Sequence, residues 1–327
     1  MNTSNTTIKD IINYEKGAEL RDVIGIVKLI EKRKTNAGDP YYTLIIRDKD
    51  VEIEAKVWSN SIDRVPISSI DAGVVIAFNG TLDIYNNTPK VIIYDARVLD
   101  SHEYDEHLLF PLASEDIQEL WAKLQDYIQQ IQNERLKDTL ERIFSDEKIK
   151  DAFQRTPGAE MVHHGYKGGL LEHTVETINM AVHFQSLYSE YADKDVVIAG
   201  AMLHDIGKIY EYAENGKRTL IGHLIEHTVL GMEMFIKFWE QSDKPDNKAV
   251  KSNVIHVILS HHTELEYGAV VRPATIEAAI VAQADLASST IKQYAQEQGK
   301  VDPTTKMAPY NKFIRTKVVK LDANSLK

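Results

Sequence analysis

The sequence predicts a multi-domain protein, a small all-β unit followed by an all-α domain, and three observations predict it. Between residues 19 and 99 apolar and polar residues alternate with period two, and β-branched residues dominate. From Ser114 onward the period is helical: Ile117, Leu120, Trp121, Leu124 and Ile128 form one apolar stripe. Between them, residues 101–111 are acidic, carry His102 and His107, and read as a linker. The expected boundaries are 1–105 for the barrel, 106–160 for a helical linker region, 161–300 for the helical domain and 301–327 for a basic tail.

Composition bounds the chemistry. The chain has 327 residues, enough for two ordinary domains, and 43% of them are hydrophobic, normal for packed cores. It has no cysteine, which excludes disulfides, zinc–thiolate sites and thiol nucleophiles. The opening MNTSNTTIKD lacks the charged-then-apolar pattern of a signal peptide, and no apolar run is long enough to span a bilayer. A soluble, cytoplasmic protein with no membrane partner is therefore expected. A net charge of −11 argues against a protein that coats nucleic acid, but a local basic strip on an acidic surface can still hold phosphate.

Strand-like segments surround Val23, Leu44, Val57 and Val75, five strands being expected in all. Turn signals separate them at Asn36-Ala37-Gly38-Asp39-Pro40, Asp48-Lys49-Asp50 and Asn86-Asn87-Thr88-Pro89. Gly25 in the first strand permits a bend or bulge. The Tyr41-Tyr42-Thr43-Leu44 strand, the Asp48 turn and the Glu54-Ala55-Lys56-Val57-Trp58 strand resemble the OB-fold of the tRNA-anticodon-binding type. Such barrels bind single strands by stacking bases on exposed aromatics beside a basic groove. Tyr41, Trp58 and Tyr85, with Lys56, Arg64 and Lys90, are the candidate contacts. The competing reading is that these aromatics pack the barrel, since strands favour them regardless of ligand.

The helical half holds an ordered set of histidines and aspartates. His173 lies on a long amphipathic helix that opens at Gly168-Gly169 and continues through Val175, Ile178 and Val182. Asp195 is a candidate cap for the next helix, whose end delivers His204 and Asp205 in the run Leu203-His204-Asp205-Ile206-Gly207-Lys208. His223, His227, His261 and His262 follow, and then Asp285 in a helix starting near Thr275. Imidazole and carboxylate suit borderline and harder first-row metals when no thiolate is present. Adjacent ligands at a helix end splay toward one centre, and a carboxylate can bridge two metals. Twelve histidines make chance pairs common, so His183 and His256 read as satisfied or surface groups. The order H…HD…D is more than a chance pair and defines the HD superfamily. A rival pattern overlaps it: His223-Leu224-Ile225-Glu226-His227 fits the inverted zinc-peptidase motif, which needs both histidines on one continuous helix.

Longer motifs carry a closer resemblance. They are His163-His164-Gly165-Tyr166-Lys167-Gly168-Gly169-Leu170-Leu171-Glu172-His173-Thr174, the His204–Lys208 run, Gly222-His223, His227-Thr228-Val229-Leu230-Gly231, Ser260-His261-His262 with Leu265-Glu266-Tyr267-Gly268, and Ala284-Asp285. In order and in neighbouring residues, from about Leu20 to Ser289, the chain resembles the YhaM-type 3′→5′ exoribonucleases, an OB-fold followed by an HD domain. Two departures stand out. The family's glycine–histidine–isoleucine segment is expanded, so either His223 or His227 fills its place. The tail after Asp302 is basic and aromatic, either a guide for a phosphate backbone or a packed or frayed terminus.

The resemblance implies hydrolysis of the 3′-terminal phosphodiester of single-stranded RNA, or DNA, to nucleoside 5′-monophosphates. It implies two divalent ions, manganese first and iron, cobalt or nickel as alternatives. One would take His173, His204, Asp205 and Asp285; the other would share Asp205 and take His227, His261 and His262. Lys208 would meet a phosphoryl oxygen as a point charge. His164, Tyr166 and Lys167, with His223, would line the entrance. A homo-oligomer is compatible with the sequence. Two other classes stay open at this stage: a phosphohydrolase of nucleotides or cyclic dinucleotides with a regulatory OB domain, and a non-catalytic single-strand-binding module. Against the cyclic-dinucleotide subclass, Glu266-Tyr267-Gly268 stands where a Gly-Tyr-Pro run would be expected.

Overall fold

A computed structural model of the chain describes residues 6–86, 88–100, 102–109, 115–159, 164–213 and 216–322. Asn87, Ser114 and His163, named above, and positions 101, 110 and 111 of the linker lie outside the described residues, as does the side chain of His107. The chain divides into two compact units, Met1–Leu112 and Ala113–Lys327.

The first unit contains β1 (Thr6–Thr7), α1 (Ile8–Ile11), β2 (Glu19–Lys34), β3 (Pro40–Arg47), β4 (Glu52–Val57), β5 (Val75–Tyr85), β6 (Thr88–Val98) and α2 (Glu106–Leu109). The length of β2 closes the barrel. Its first half pairs antiparallel with β5 and its second half with β3. The circuit runs on through β4, and β4 returns to β6 by a parallel pairing. Five strands in this order form a closed Greek-key barrel of the OB kind. Alternation works as expected: Val23, Leu44, Ile46, Ile53, Ala55, Val57, Ile76, Phe78, Val91 and Ile93 all point inward and are buried. Ile8 and Ile11 of α1 join the same core. Asp48 is buried because it organises the β3–β4 turn, accepting from the amides of Asp50 and Val51 at 2.8 Å and from that of Lys9 at 2.6 Å. Register shifts in β2 fall between Leu20 and Val23 against β5 and between Val27 and Leu29 against β3, not at Gly25. At Gly25 a Cβ would stand 2.5 Å from Ile46 Cγ2, so the glycine permits close packing across the barrel.

The second unit contains α3 (Ile117–Gln130), α4 (Glu134–Ser145), α5 (Glu147–Arg155), α6 (Gly169–Leu187), α7 (Lys194–Leu203), α8 (Lys208–Glu211), α9 (Leu220–Leu224), α10 (His227–Glu240), α11 (Lys248–Ser260) and α12 (Ile276–Gln298). A hairpin of β7 (Met307–Asn311) and β8 (Thr316–Val319) follows. One core takes in Leu120, Leu124 and Ile128 of α3, Phe153 of α5, Val175 and Ile178 of α6, Met202 of α7 and Ile258 of α11. The helices expected of a linking region, α3 to α5, are thus part of the ligand-bearing core. Helix α6 departs from the amphipathic expectation in its first two turns, where every residue from 169 to 175 is buried among α3, α5, α7 and α12; beyond them Asn179, His183 and Ser186 are exposed opposite buried Ile178 and Ala181. Helix α7 is capped by Asp193, not Asp195. Asp193 accepts from the amides of Asp195 and Val196, while Asp195 accepts from those of Gln132 and Asn133. Among the described residues no helix is long and apolar enough to cross a membrane.

Candidate metal centre

Helix ends deliver most of the cluster. His173 sits in the second turn of α6. His204 and Asp205 follow α7 directly, His227 opens α10, His261 and His262 follow α11, and Asp285 lies within α12. Glycine lets two of these ends meet. A Cβ on Gly207 would stand 2.0 Å from the carbonyl oxygen of His227 and 2.7 Å from the amide of Gly231, so the turn after His204-Asp205 rests on the backbone of α10.

The ligand atoms fall into two groups, and Asp205 joins them. Those of His173, His204 and Asp285 lie within 4.8 Å of one another, as do those of His227, His261 and His262. Asp205 Oδ2 is 3.5 Å from His173 Nε2 and 3.3 Å from His204 Nε2. Its other oxygen, Oδ1, is 3.4 Å from His227 Nε2 and 3.6 Å from His261 Nε2. Asp285 Oδ1 lies 3.1 Å from His173 Nε2. One carboxylate therefore presents one oxygen to each group.

Hydrogen bonds on the far side of the rings fix which nitrogen faces inward. His204 Nδ1 meets the carbonyl of Ala201 at 2.8 Å and His261 Nδ1 that of Ile258 at 2.9 Å. A carbonyl only accepts, so both Nδ1 atoms carry hydrogen and Nε2 is turned to the cluster. His227 Nδ1 donates likewise to Glu211 Oε2 at 2.6 Å. His173 Nδ1 lies 3.1 Å from Ser288 Oγ, which itself donates to Glu176 Oε2 at 2.9 Å. Such partners orient metal-binding imidazoles and raise their basicity.

The site's electrostatics favour a cation. Burial holds the imidazoles of His173 and His261 below the ordinary histidine value. Burial, followed by the neighbouring His261 and His227, takes His262 down to about 3. Neutral imidazole is the ligand form. His204 goes the other way: burial lowers it, but the charge of Asp205, its hydrogen bond and the charge of Asp285 outweigh that. Burial pushes the Asp205 carboxyl up, yet Lys208 and His204 hold it well below the usual carboxylate range. Asp205 Oδ1 and His261 Nε2 are buried with no hydrogen-bond partner. A divalent ion between acceptors of this kind would supply the missing interaction, and an all-nitrogen-and-oxygen set fits manganese, iron, cobalt or nickel.

The remaining predicted residues are distributed as follows. Lys208 is buried and donates to Asp205 Oδ2 and to the Gly158 carbonyl, both at 2.7 Å. His164 and Tyr166 are interior rather than at an entrance: His164 is fully buried against Glu176 at 3.1 Å, and the Tyr166 hydroxyl donates to Glu172. Both are held by carboxylates of α6, the buried Glu172 and the partly buried Glu176. Lys167 is exposed. His223 is exposed on α9 and belongs to neither ligand group, whereas His227 is buried in one. The chain breaks helix at Ile225 and Glu226, so the peptidase pattern does not lie on one helix. A third acidic grouping, Glu211, Glu226 and His227, is already bridged by Arg218, which pairs with both glutamates.

Sequence reasoning missed the shell behind the ligands. Lys292 Nζ bonds Glu172 at 2.9 Å and Glu176 at 3.1 Å, joining α12 to α6 at the level of His173. Glu211 and Ser288 orient His227 and His173. The one available signal was buried-type spacing of glutamates beside a ligand, as in Glu172-His173.

On the barrel, Tyr41 and Trp58 pack in a tilted pair with ring centroids 4.9 Å apart, and Lys56 Nζ lies 5.4 Å from the Trp58 ring and 5.8 Å from that of Tyr41. Lys90 Nζ is 5.6 Å from the ring of the exposed Tyr85. Glu54 sits between the two lysines, 3.0 Å from Lys90 and 3.9 Å from Lys56. Arg64 is exposed on a separate short turn after Trp58. None of Tyr41, Trp58 or Tyr85 is in the barrel core.

Comparisons with known proteins match two regions of the chain. Residues 170–289 match the HD domain family. The barrel region is similar to a replication protein A heterotrimer bound to single-stranded DNA, at 22% identity over 30% of this chain and 80% of that one (TM-score 0.24). It is also similar to an OB domain from Thermoplasma acidophilum, at 16% identity over 33% and 91% (TM-score 0.23). A third match is the second OB-fold domain of replication protein A from Methanococcus maripaludis, at 10% identity over 26% and 85% (TM-score 0.20). The barrel's own strand order carries its assignment. The chain is an OB-like five-stranded barrel followed by a helical region that contains an HD domain, the hallmark of a metal-dependent hydrolase superfamily.

Proposed function

We propose that this protein is a divalent-metal-dependent 3′→5′ exonuclease that degrades single-stranded RNA, or DNA, to nucleoside 5′-monophosphates. The observation that carries the reading is Asp205, whose two oxygens face two separate histidine groups at 3.3–3.6 Å. His173, His204, Asp205 and Asp285 would hold one ion; His227, His261 and His262 would hold the other and share Asp205. When bound, such ions, manganese first among the candidates, would supply activation of water and charge compensation for phosphoryl oxygens.

The chain's own groups prepare that site. Lys208 anchors Asp205 and holds it ionised, so the shared carboxylate is fixed before any ion binds. Glu211 and Ser288 set the ring orientation of His227 and His173. The paired rings of Tyr41 and Trp58, with Lys56 beside them, would offer unstacked bases a resting face, which supports a single strand over a free nucleotide.

The test uses the full chain with Mn²⁺ and single-stranded RNA labelled at either end. Mononucleotides are expected from the 3′ label at once, with stepwise shortening of the 5′-labelled strand. Asp205→Ala should lower the rate by more than about 100-fold, above what losing a ligand's hydrogen-bond partner costs. No degradation of any oligonucleotide with any divalent ion, beside hydrolysis of free or cyclic nucleotides, would replace this reading with the small-substrate one.

A further inference from the structure

The C-terminal β7–β8 hairpin carries a charge pattern unlike the rest of the molecule. Between residues 303 and 321 stand five cations and no acid, in a chain of net charge −11. Of these, Lys306 pairs with Asp322 at 2.9 Å. Lys312, Arg315, Lys317 and Lys320 are exposed and make no ion pair among the described residues. The barrel differs: Lys56 and Lys90 both lie against Glu54. The two lysines beside the barrel's aromatic rings thus share one carboxylate, whereas four cations of the hairpin stand without an acid.

The hairpin is a folded element. Ala308 and Val318 are buried, and both strands pack on α12, the helix that carries Asp285. The Lys320 amide donates to the Lys306 carbonyl at 3.1 Å, and the Asp302 amide to that of Met307 at 3.1 Å, tying its base. Asn311 Oδ1 accepts from the amide of Phe313 at 2.8 Å, which orders the turn. That turn presents Lys312, Phe313 and Arg315 outward, and Tyr310 lies opposite Lys317 in the register. Tyr310 and Phe313 are 60% and 49% exposed, and Lys312 Nζ sits 5.0 Å from the Phe313 ring. Exposed aromatics interleaved with unpaired cations are the recognition chemistry of a single-stranded nucleic acid: rings meet bases and ammonium or guanidinium groups meet phosphates.

We infer that the β7–β8 hairpin is a second single-strand-binding site, placed on the catalytic unit itself, which grips the phosphate backbone through Lys312, Arg315, Lys317 and Lys320 and stacks bases on Tyr310 and Phe313. The inference rests on the proposed single-strand substrate and adds where the polymer's charge is read. It also gives the two sites different physics: binding at the barrel is dominated by stacking, and binding at the hairpin by charge.

The experiment measures binding of a fluorescent single-stranded oligonucleotide by the full chain over a range of salt. Ca²⁺ replaces Mn²⁺ so that cleavage does not interfere. The variant Lys312→Gln/Arg315→Gln/Lys317→Gln removes three candidate phosphate contacts. The slope of log affinity against log salt should fall by about 2, and affinity near 0.1 M salt should weaken by about 10- to 100-fold. A control, Lys148→Gln/Lys194→Gln/Lys248→Gln, makes the same change of net charge at exposed helical positions. Thermal melting of both variants reads folding. Tyr310→Ala/Phe313→Ala should weaken binding with little change of slope. Equal slopes for wild type, hairpin variant and control overturn the inference, as does an equal loss in both lysine variants. Wild-type release of mononucleotides with Mn²⁺ is scored separately, so a failed hairpin and a failed nuclease assignment are told apart.

Discussion

At the scale of single residues, the site depends on side chains that touch no substrate. Glu211 holds the Nδ1 hydrogen of His227, and Ser288 that of His173. Glu211→Gln and Ser288→Ala should each weaken one ion's affinity by about 10- to 100-fold while leaving the other ion's nearly unchanged, as read by calorimetric titration of metal-stripped protein. Equal weakening of both ions would contradict the assignment of those partners to separate groups. Glu176 makes a pH prediction. Burial raises its carboxyl, but the bond and charge of His164, Lys292 and the Ser288 hydroxyl outweigh this and take it from 4.5 to about 2. A depressed carboxylate contributes stability above its unfolded value and loses it as pH falls through the folded one. Stability of the metal-stripped protein should therefore decline from about pH 4.5 toward pH 2, with a shallower slope in Glu176→Gln, measured by urea unfolding at each pH. The ligands themselves were legible in the sequence because histidine and aspartate have few reasons to recur in that order beside apolar helices. Glu172, Glu176, Ser288 and Lys292 were not, since their pairing spans more than a hundred residues and leaves no periodic trace.

At the scale of elements, helix ends do the positioning, and small residues set how closely they approach. Gly207 is the clearest case, with α10 backbone where its Cβ would be. Gly207→Ala should cost about 1–3 kcal/mol of stability by overpacking and displace His227, so weaker metal binding should accompany a lower urea midpoint. A fully stable variant with normal metal binding would show that the turn can shift freely. Local signals were read well where one residue acts on its own helix and poorly where a neighbour competes. Asp193 and Asp195 both fit a cap, and the choice was made by Gln132 and Asn133, whose amides occupy Asp195. His223 and His227 are four apart, a helical spacing, yet the helix stops at Ile225, exposing one and burying the other. The amphipathic reading of α6 suits its second half, where Asn179, His183 and Ser186 are exposed, and fails in its first turns, because the polar Glu172, His173 and Thr174 there are interior groups.

At the scale of the whole molecule, two units with separate cores contribute separate chemistry: an aromatic face on the barrel, and a buried ligand cluster in the helical bundle. Period two giving way to a helical period was enough to see that division, because each core imposes its own repeat on the sequence. Trp58→Ala should weaken oligonucleotide binding by about 1–3 kcal/mol, far more than it alters hydrolysis of a small chromogenic phosphodiester. Equal effects on both would make Trp58 a scaffold residue. The central claim, a two-ion site bridged by Asp205, is tested most directly by counting Mn²⁺ bound per chain when metal-stripped protein is saturated. Two ions per chain, with loss of paired binding in Asp205→Ala, are predicted; saturation at a single ion, or none, would contradict the account.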